Sequence, residues 1–455
     1  MTKLFSKLSS LFLLVCLLLT GCINEVDVPE FKLIKQTVAD NAVVDTLLTE
    51  IVLTYSNPIV LDNANLITIN GETTHATTAN MLLKISLSLA PDHTYILTIP
   101  SGAITDNYQQ TLPDFTITFS TIKRPVVDTL SFVTRSALVT PNPSREANNV
   151  YQFLRQNYGK MTISGVHANV NWNTNEAQWV YKHTGKYPAL NCFDYVHLLN
   201  SPANWIDYGQ TQVVEDWWNN NGLIAANWHW NVPSSEGSST VAFYTTQTTF
   251  DIRRAVVPGN WEYDVVISDL SKLAGYLGQL RDKQIPVIWR PLHEASGGWF
   301  WWGAQGPTPY IALWRLVFDQ LVNVHQLNNL IWVWTTETND AAWYPGDEYV
   351  DIIGRDIYNQ SSGTNIASQF NDIASQYSNQ IVTLSEFGNV ASVESQWTNG
   401  ARWSWFMPWY DYDRTLSVTS SAFDLTTHTF ADISYWSAAW TQDYVISRDE
   451  MPDLK

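Results

Sequence analysis

Between Phe31 and Thr121 the chain alternates apolar and polar residues, in Ile51–Tyr55, Leu66–Ile69, Leu83–Leu87 and Phe115–Phe119. A period of two predicts half-buried strands. Asn70-Gly71, between two such runs, predicts a tight hairpin turn. Strands and turns at this spacing over about ninety residues predict a small β-sandwich. From Arg145 the pattern changes to short, nearly continuous apolar runs separated by helical stretches. Eight runs stand out: Met161–Ala168, Tyr187–Tyr195, Gly222–Trp230, Ile285–Glu294, Asn329–Glu337, Val350–Tyr358, Ile381–Gly388 and Ser404–Tyr410. Helices are expected between them, for example over Val265–Gln284 and Thr308–Gln326. Eight βα units in about 310 residues predict an α/β fold, a (β/α)8 barrel, with its longest loop at Asn231–Tyr263.

Composition sharpens this division. All 22 tryptophans lie at or after Trp172, so the β-rich segment has none. Charged residues make up 15% and the net charge is −18. An acidic chain without clustered Lys and Arg disfavours nucleic acid and anionic membrane surfaces as partners, and favours a neutral or cationic substrate.

The first 21 residues have a targeting pattern. Lys3 and Lys7 precede the apolar run Leu11–Leu19, which is too short to span a bilayer. Leu19-Thr20-Gly21-Cys22 then resembles a bacterial lipobox, which implies lipidation at Cys22. A plain secretory signal is the alternative. Removing residues 1–21 takes the charge from −18 to −20 and leaves Cys192 as the one unmodified cysteine, so no intrachain disulfide is expected. Ile23 after the cysteine points to the outer membrane, and Glu25 and Asp27 weakly to the cell surface. The expected organisation is a signal at 1–21, a tether at 22–30, a sandwich at 31–122, a linker at 123–144 carrying Pro125, Pro141 and Pro143, and a barrel at 145–455. Tyr95–Asp106 and Phe115–Thr121 resemble the immunoglobulin-like modules of bacterial surface proteins, which implies a spacer.

Catalytic side chains of a (β/α)8 barrel sit at the carboxyl ends of its strands. Those ends present His167, Asp194, Trp228-His229-Trp230, His293-Glu294, Glu337, Asp356 with Tyr358, Glu386 and Trp409. The set is acidic and aromatic. It holds too few cations for phosphate, and no phosphate-binding glycine loop or paired-histidine zinc motif occurs. A single glutamate at a strand end commonly caps a helix or pairs with a cation. Glu294 and Glu386, on strands that face each other across a barrel mouth and beside aromatic clusters, instead suit the two carboxylates that flank a glycosidic bond.

Arg290–Gly303 (Arg-Pro-Leu-His-Glu-Ala-Ser-Gly-Gly-Trp-Phe-Trp-Trp-Gly) resembles the acid/base motif of glycoside hydrolase family 26, whose main activity is endo-β-1,4-mannanase. The resemblance continues through Ser164–His167, Trp228–Asn231, Asp351–Tyr358, Glu386–Gly388 and Phe406–Trp409. It implies Glu294 as general acid/base, Glu386 as nucleophile, and retention of anomeric configuration. It also implies that Tyr358 holds Glu386, although simple barrel packing is the other role open to it. His293 is implied to lie against the sugar, or else beneath the site; His167 and His229 are further candidates for hydroxyl contacts. Asp356 either orders Tyr358 or meets the substrate. Trp299 and Trp409 are the expected stacking platforms, and Trp299, Trp301 and Trp302 together an apolar wall raising the pKa of Glu294. Most other tryptophans, such as Trp289, Trp314, Trp332 and Trp334, are expected in the core, and at least one of Trp217 and Trp218 half-exposed. Asp194 and Glu337 are left as structural.

Ala295-Ser296 departs from residues such as Met-Asn found in many members, which bears on the adjoining subsite. The expected partner is a β-mannan (galactomannan, glucomannan or manno-oligosaccharides), acted on by a monomer without metal or organic cofactor, touching membrane through the Cys22 lipid alone. Rivals are β-1,3-xylanase and mixed-linkage β-glucanase activity, or a non-catalytic glycan-binding lipoprotein.

Overall fold

A computed structural model describes residues 28–44, 48–89, 93–121 and 132–455. The expected signal segment, Cys22 and much of the expected linker lie outside these residues. The chain divides into two units, 1–124 and 125–455.

In the first unit, a four-stranded antiparallel sheet runs in the order Leu33–Gln36, Glu50–Tyr55, Leu82–Ser86, Ala76–Ala79. A five-stranded sheet runs Ala42–Val44, Phe115–Thr121, Thr94–Ile99, Thr68–Ile69, Glu72–Thr73. Alternate residues, among them Ile51, Leu53, Leu83, Ile85, Leu97, Ile117 and Phe119, are buried in one core, as a period of two requires. The Asn70-Gly71 turn joins Ile69 to Glu72 with both central residues at positive φ, 53° and 82°, the conformation that matches strand twist.

In the second unit, eight parallel strands close into a barrel. They are β1 (Thr162–His167), β2 (Leu190–Asp194), β3 (Leu223–Trp228), β4 (Val287–Pro291), β5 (Leu330–Thr336), β6 (Ile352–Tyr358), β7 (Ile381–Gly388) and β8 (Trp405–Pro408). Each pairs with its neighbour, and β8 and β2 both pair with β1. Nearly every strand residue is buried, because helices cover the outside and side chains fill the inside. The helix Trp261–Asp282 follows the β3 excursion, and Pro307–Phe318 follows β4, extended by a wider turn over Asp319–Val324.

Residues 132–144 depart from the linker expectation. Val139 N–H donates to Asp351 at 2.7 Å, Thr140 donates to the Leu330 carbonyl at 3.1 Å, and Ser144 caps the helix Arg145–Asn157. Pro141 and Pro143 therefore belong to an ordered strap on the barrel. Trp289, Trp314, Trp332 and Trp334 are fully buried. Trp217 and Trp218 are buried too, against expectation: Arg448 lies over the ring of Trp217 and Lys455 over that of Trp218. Long cationic side chains thus complete a burial that helix geometry alone leaves open.

Candidate functional site

The carboxyl ends of the strands bring the candidate residues to one mouth. β4 stops at Pro291, and the chain then turns sharply, with Leu292 and Glu294 both at positive φ (50° and 53°). Such a conformation is costly for residues with a Cβ and is held by its surroundings. It sends His293 into the protein and leaves Glu294 half-buried at the mouth. The indole N–H of Trp299 donates to Glu294 Oε2 at 3.0 Å, and the ring is 43% exposed. Two glycines shape this loop. A Cβ on Gly297 would lie 2.0 Å from the Trp299 ring, and one on Gly303 would lie 1.9 Å from the Ala295 carbonyl.

The long β3 excursion folds against this loop. Thr245 N–H donates to the Trp299 carbonyl at 2.7 Å, and Trp301 N–H to the Phe243 carbonyl at 3.0 Å. Trp301 and Trp302 are wholly buried and aim their N–H groups at the carbonyls of Trp230 and His293. They are pillars of the loop. Of the three expected wall tryptophans, Trp299 is the one bonded to Glu294.

Glu386, on β7, is buried and doubly held. Tyr358 Oη donates to its Oε1 at 2.6 Å, and Arg290 Nη2 donates to its Oε2. Burial raises the Tyr358 pKa, so the hydroxyl remains a donor throughout the working range. The Tyr358 ring is 38% exposed, which argues against a plain packing role.

Arg290 is the residue that sequence reasoning passed over. Buried on β4, it also donates to Asp356 Oδ2 at 2.8 Å, Asn227 Oδ1 at 3.1 Å and Thr335 Oγ1 at 3.1 Å. A lone arginine inside an apolar strand (Val287-Ile-Trp-Arg290) was the available signal, since a buried guanidinium needs carboxylates around it. Asp356 spends its oxygens on Arg290 and on Ser385 Oγ, at 2.7 Å. It therefore braces Arg290 and β7, and makes no hydrogen bond to Tyr358.

The histidines form the underside. His167 Nε2 meets the Ser385 carbonyl at 3.1 Å and its Nδ1 meets Asn227 at 3.2 Å, with Glu386 Oε2 at 3.8 Å from Nε2. Burial and then Arg290 lower its pKa, so it is neutral there. His229 Nδ1 contacts Asp194 at 2.5 Å and its Nε2 contacts His293 Nε2 at 3.2 Å. Both ring nitrogens of His167 and His229 are thus engaged by protein. His293 is buried, with its pKa lowered by burial and then by Arg290. Trp409 is half-buried just past β8, its ring 4.8 Å from His167 and 5.6 Å from His229.

The electrostatics separate the two glutamates. Burial, followed by the charges of Glu386, Asp356 and Glu337, pushes Glu294 up to about 9, against the pull of Arg290. Burial and Asp356 raise Glu386 to about 7, opposed by Arg290 and the Tyr358 hydroxyl. As pH rises, Glu386 ionises first. Carboxylate oxygens of Glu294, Glu337 and Asp356 also lie within 4.8 Å of one another.

A closed parallel barrel with one proton-bearing and one clamped carboxylate at its carboxyl-terminal mouth has the architecture of a glycosidase. Residues 139–433 match glycosyl hydrolase family 26, and the chain belongs to that family. It is 34% identical over 332 residues to a mannan endo-1,4-beta-mannosidase of Thermothelomyces thermophilus, covering 69% of this chain and 63% of that relative. The chain thus spans less than two thirds of that relative's length. Among solved structures it resembles the family 26 domain of an endo-beta-mannanase/endo-beta-glucanase from Prevotella bryantii (TM-score 0.63, 33% identity, 70% of this chain and 99% of that one). It also resembles a beta-mannanase from a symbiotic protist of the termite Reticulitermes speratus, complexed with gluco-manno-oligosaccharide (TM-score 0.62, 34% identity, 71% and 99%).

Proposed function

We propose that this chain is a retaining endo-β-1,4-mannanase acting on mannan, galactomannan or glucomannan. The observation that carries this reading is the division of labour between the glutamates. Glu386 is clamped by Arg290 and Tyr358 in a way that favours its anion, while Glu294 sits among negative charges that favour its acid form. In the first step Glu386 attacks the anomeric carbon while Glu294 gives its proton to the leaving oxygen. A covalent mannosyl-Glu386 ester forms and the shortened chain departs. In the second step Glu294, now ionised, takes a proton from water; that water attacks the anomeric carbon and frees Glu386. Two inversions give net retention. Trp299 and Trp409 supply flat apolar faces for pyranose rings, and Arg290 and Tyr358 stabilise the carboxylate as it is released. Relatives named as mannan endo-1,4-beta-mannosidases support the choice of mannan over other β-glycans.

The test is release of reducing ends from locust bean gum, barley β-glucan and β-1,3-xylan. Release from the gum is expected; release from either of the others without the gum would replace mannan as the substrate. Proton NMR of the first product should show the β anomer before mutarotation. Tyr358→Phe should lower kcat roughly ten- to a hundred-fold with a smaller change in KM, since a hydrogen bond to a charged group is worth about 1.5–3 kcal/mol.

The lipobox Leu19–Cys22 supports an exported lipoprotein held at the outer membrane through Cys22. An antiparallel sheet and a mixed sheet over a shared core are in keeping with an immunoglobulin-like spacer ahead of the barrel.

A further inference from the structure

Glu337 takes no part in the steps above, yet it is fixed beside them. It follows β5 in a turn built on Asp340, which accepts from the Glu337 N–H at 2.5 Å and from Thr336 Oγ1 at 2.7 Å. Arg355, on β6, holds its side chain: Nη1 donates to Glu337 Oε2 at 2.8 Å. The guanidinium is itself anchored to the Thr336 carbonyl at 3.0 Å, Gln369 Oε1 at 3.0 Å and Thr338 Oγ1 at 3.2 Å. A glutamate with one surface counter-ion is commonplace. Here the carboxylate is largely buried, is held by an arginine that three further acceptors anchor, and has an oxygen within 4.8 Å of an oxygen of Glu294.

Resting on the reading of Glu294 as the acid/base, we propose that Glu337 is a positioning residue. Its negative charge, set beside Glu294 by Arg355, adds to the charges that keep the proton on the acid and so raises the upper pH limit of turnover.

The charged groups around the pair are few. Glu294 faces Arg290 on β4, Glu337 after β5, Asp356 on β6 and Glu386 on β7. Glu337 faces Arg355, Asp356, Asp340 and Glu386. His229 and His293 lie below, in contact with each other. Glu386 and Asp356 also raise Glu294, and Arg290 is shared between those two; Glu337 is the one of the three carboxylates that Arg290 does not bond. Glu337 has Arg355 as its cation, and that cation is divided among four acceptors. A carboxylate at this distance from another disfavours the second ionisation. Burial raises Glu337 to about 7 despite Arg355, below the value of about 9 for Glu294. The Glu337 charge is therefore in place before Glu294 begins to lose its proton.

The experiment is the pH profile of kcat/KM on mannopentaose, using the full chain and Glu337→Gln, with thermal unfolding as a check on the fold. The basic limb should move down by about one unit in the variant, with a smaller downward shift of the acidic limb because Glu337 also faces Glu386. Glu337→Ser is a second neutral variant should glutamine fail to fold. An unmoved basic limb in either folded variant overturns the role of Glu337. A 2,4-dinitrophenyl β-mannoside, whose phenolate leaves without a proton, should give both proteins the same basic limb; a shift of equal size there also overturns the proposal. Failure of the underlying reading is distinguishable, because Glu294→Ala would then keep wild-type activity on mannopentaose.

Discussion

Glu386→Ala is expected to lose turnover of mannan by about four orders of magnitude or more, with binding of manno-oligosaccharides retained. The reason is geometric. Tyr358 and Arg290 converge on the two oxygens of one carboxylate, and no other described side chain occupies that position to attack the anomeric carbon. Steady-state kinetics on mannopentaose, with calorimetry for binding, checks it. A glycan-binding protein without catalysis would behave alike before and after the substitution. Azide should restore turnover of an activated aryl β-mannoside in this variant. It should yield the α-mannosyl azide, because the small anion attacks from the face Glu386 has vacated. A β-azide would contradict the nucleophile assignment.

Glu294→Ala is expected to behave differently according to the leaving group. Natural mannan leaves as an alkoxide and needs the proton, so kcat/KM should fall by about 10²- to 10⁴-fold. A dinitrophenolate needs none, so kcat/KM for that substrate should stay near the wild-type value. Its kcat should fall, since water then lacks its general base and the mannosyl-enzyme accumulates. The same pair of groups predicts the pH profile. The active form has Glu386 ionised and Glu294 protonated. Activity is lost at low pH as Glu386, raised to about 7, takes up a proton, and at high pH as Glu294, raised to about 9, gives one up. Because the groups interact, the two limbs report the pair. A basic limb in wild-type kcat/KM on mannopentaose that is absent on the aryl substrate checks the assignment.

The strands and the two glutamates were legible in the order of residues. β6 and β7 were read to within two residues of each end, because a parallel strand buried on both faces leaves an uninterrupted apolar run. Glu294 and Glu386 stood out because strand ends in such a barrel share one rim. Arg290 was hidden inside an apolar run, and its meaning depends on Asp356 and Glu386, which lie 66 and 96 residues away. The histidines were legible as candidates, but spacing along the chain does not show that Asp194, Asn227 and Ser385 lie against the ring nitrogens of His229 and His167. Trp217 and Trp218 were misjudged for the same reason: Arg448 and Lys455 come from the far end of the chain.

Local periodicity was enough to specify a β-rich unit followed by a barrel, and the resemblance of its motifs to a known family was enough to single out Glu294 and Glu386. Both are carried by near neighbours in the chain, where hydrophobic period and strand polarity act directly. The protonation states of that pair come from elsewhere. The left-handed turn at Glu294, the register slips beside Asp356 and Glu386, and the Arg290 and Glu337–Arg355 networks exist only once eight strands close on one another. A pKa depends on burial and on charges a few ångströms away, and closing the barrel is what sets those distances.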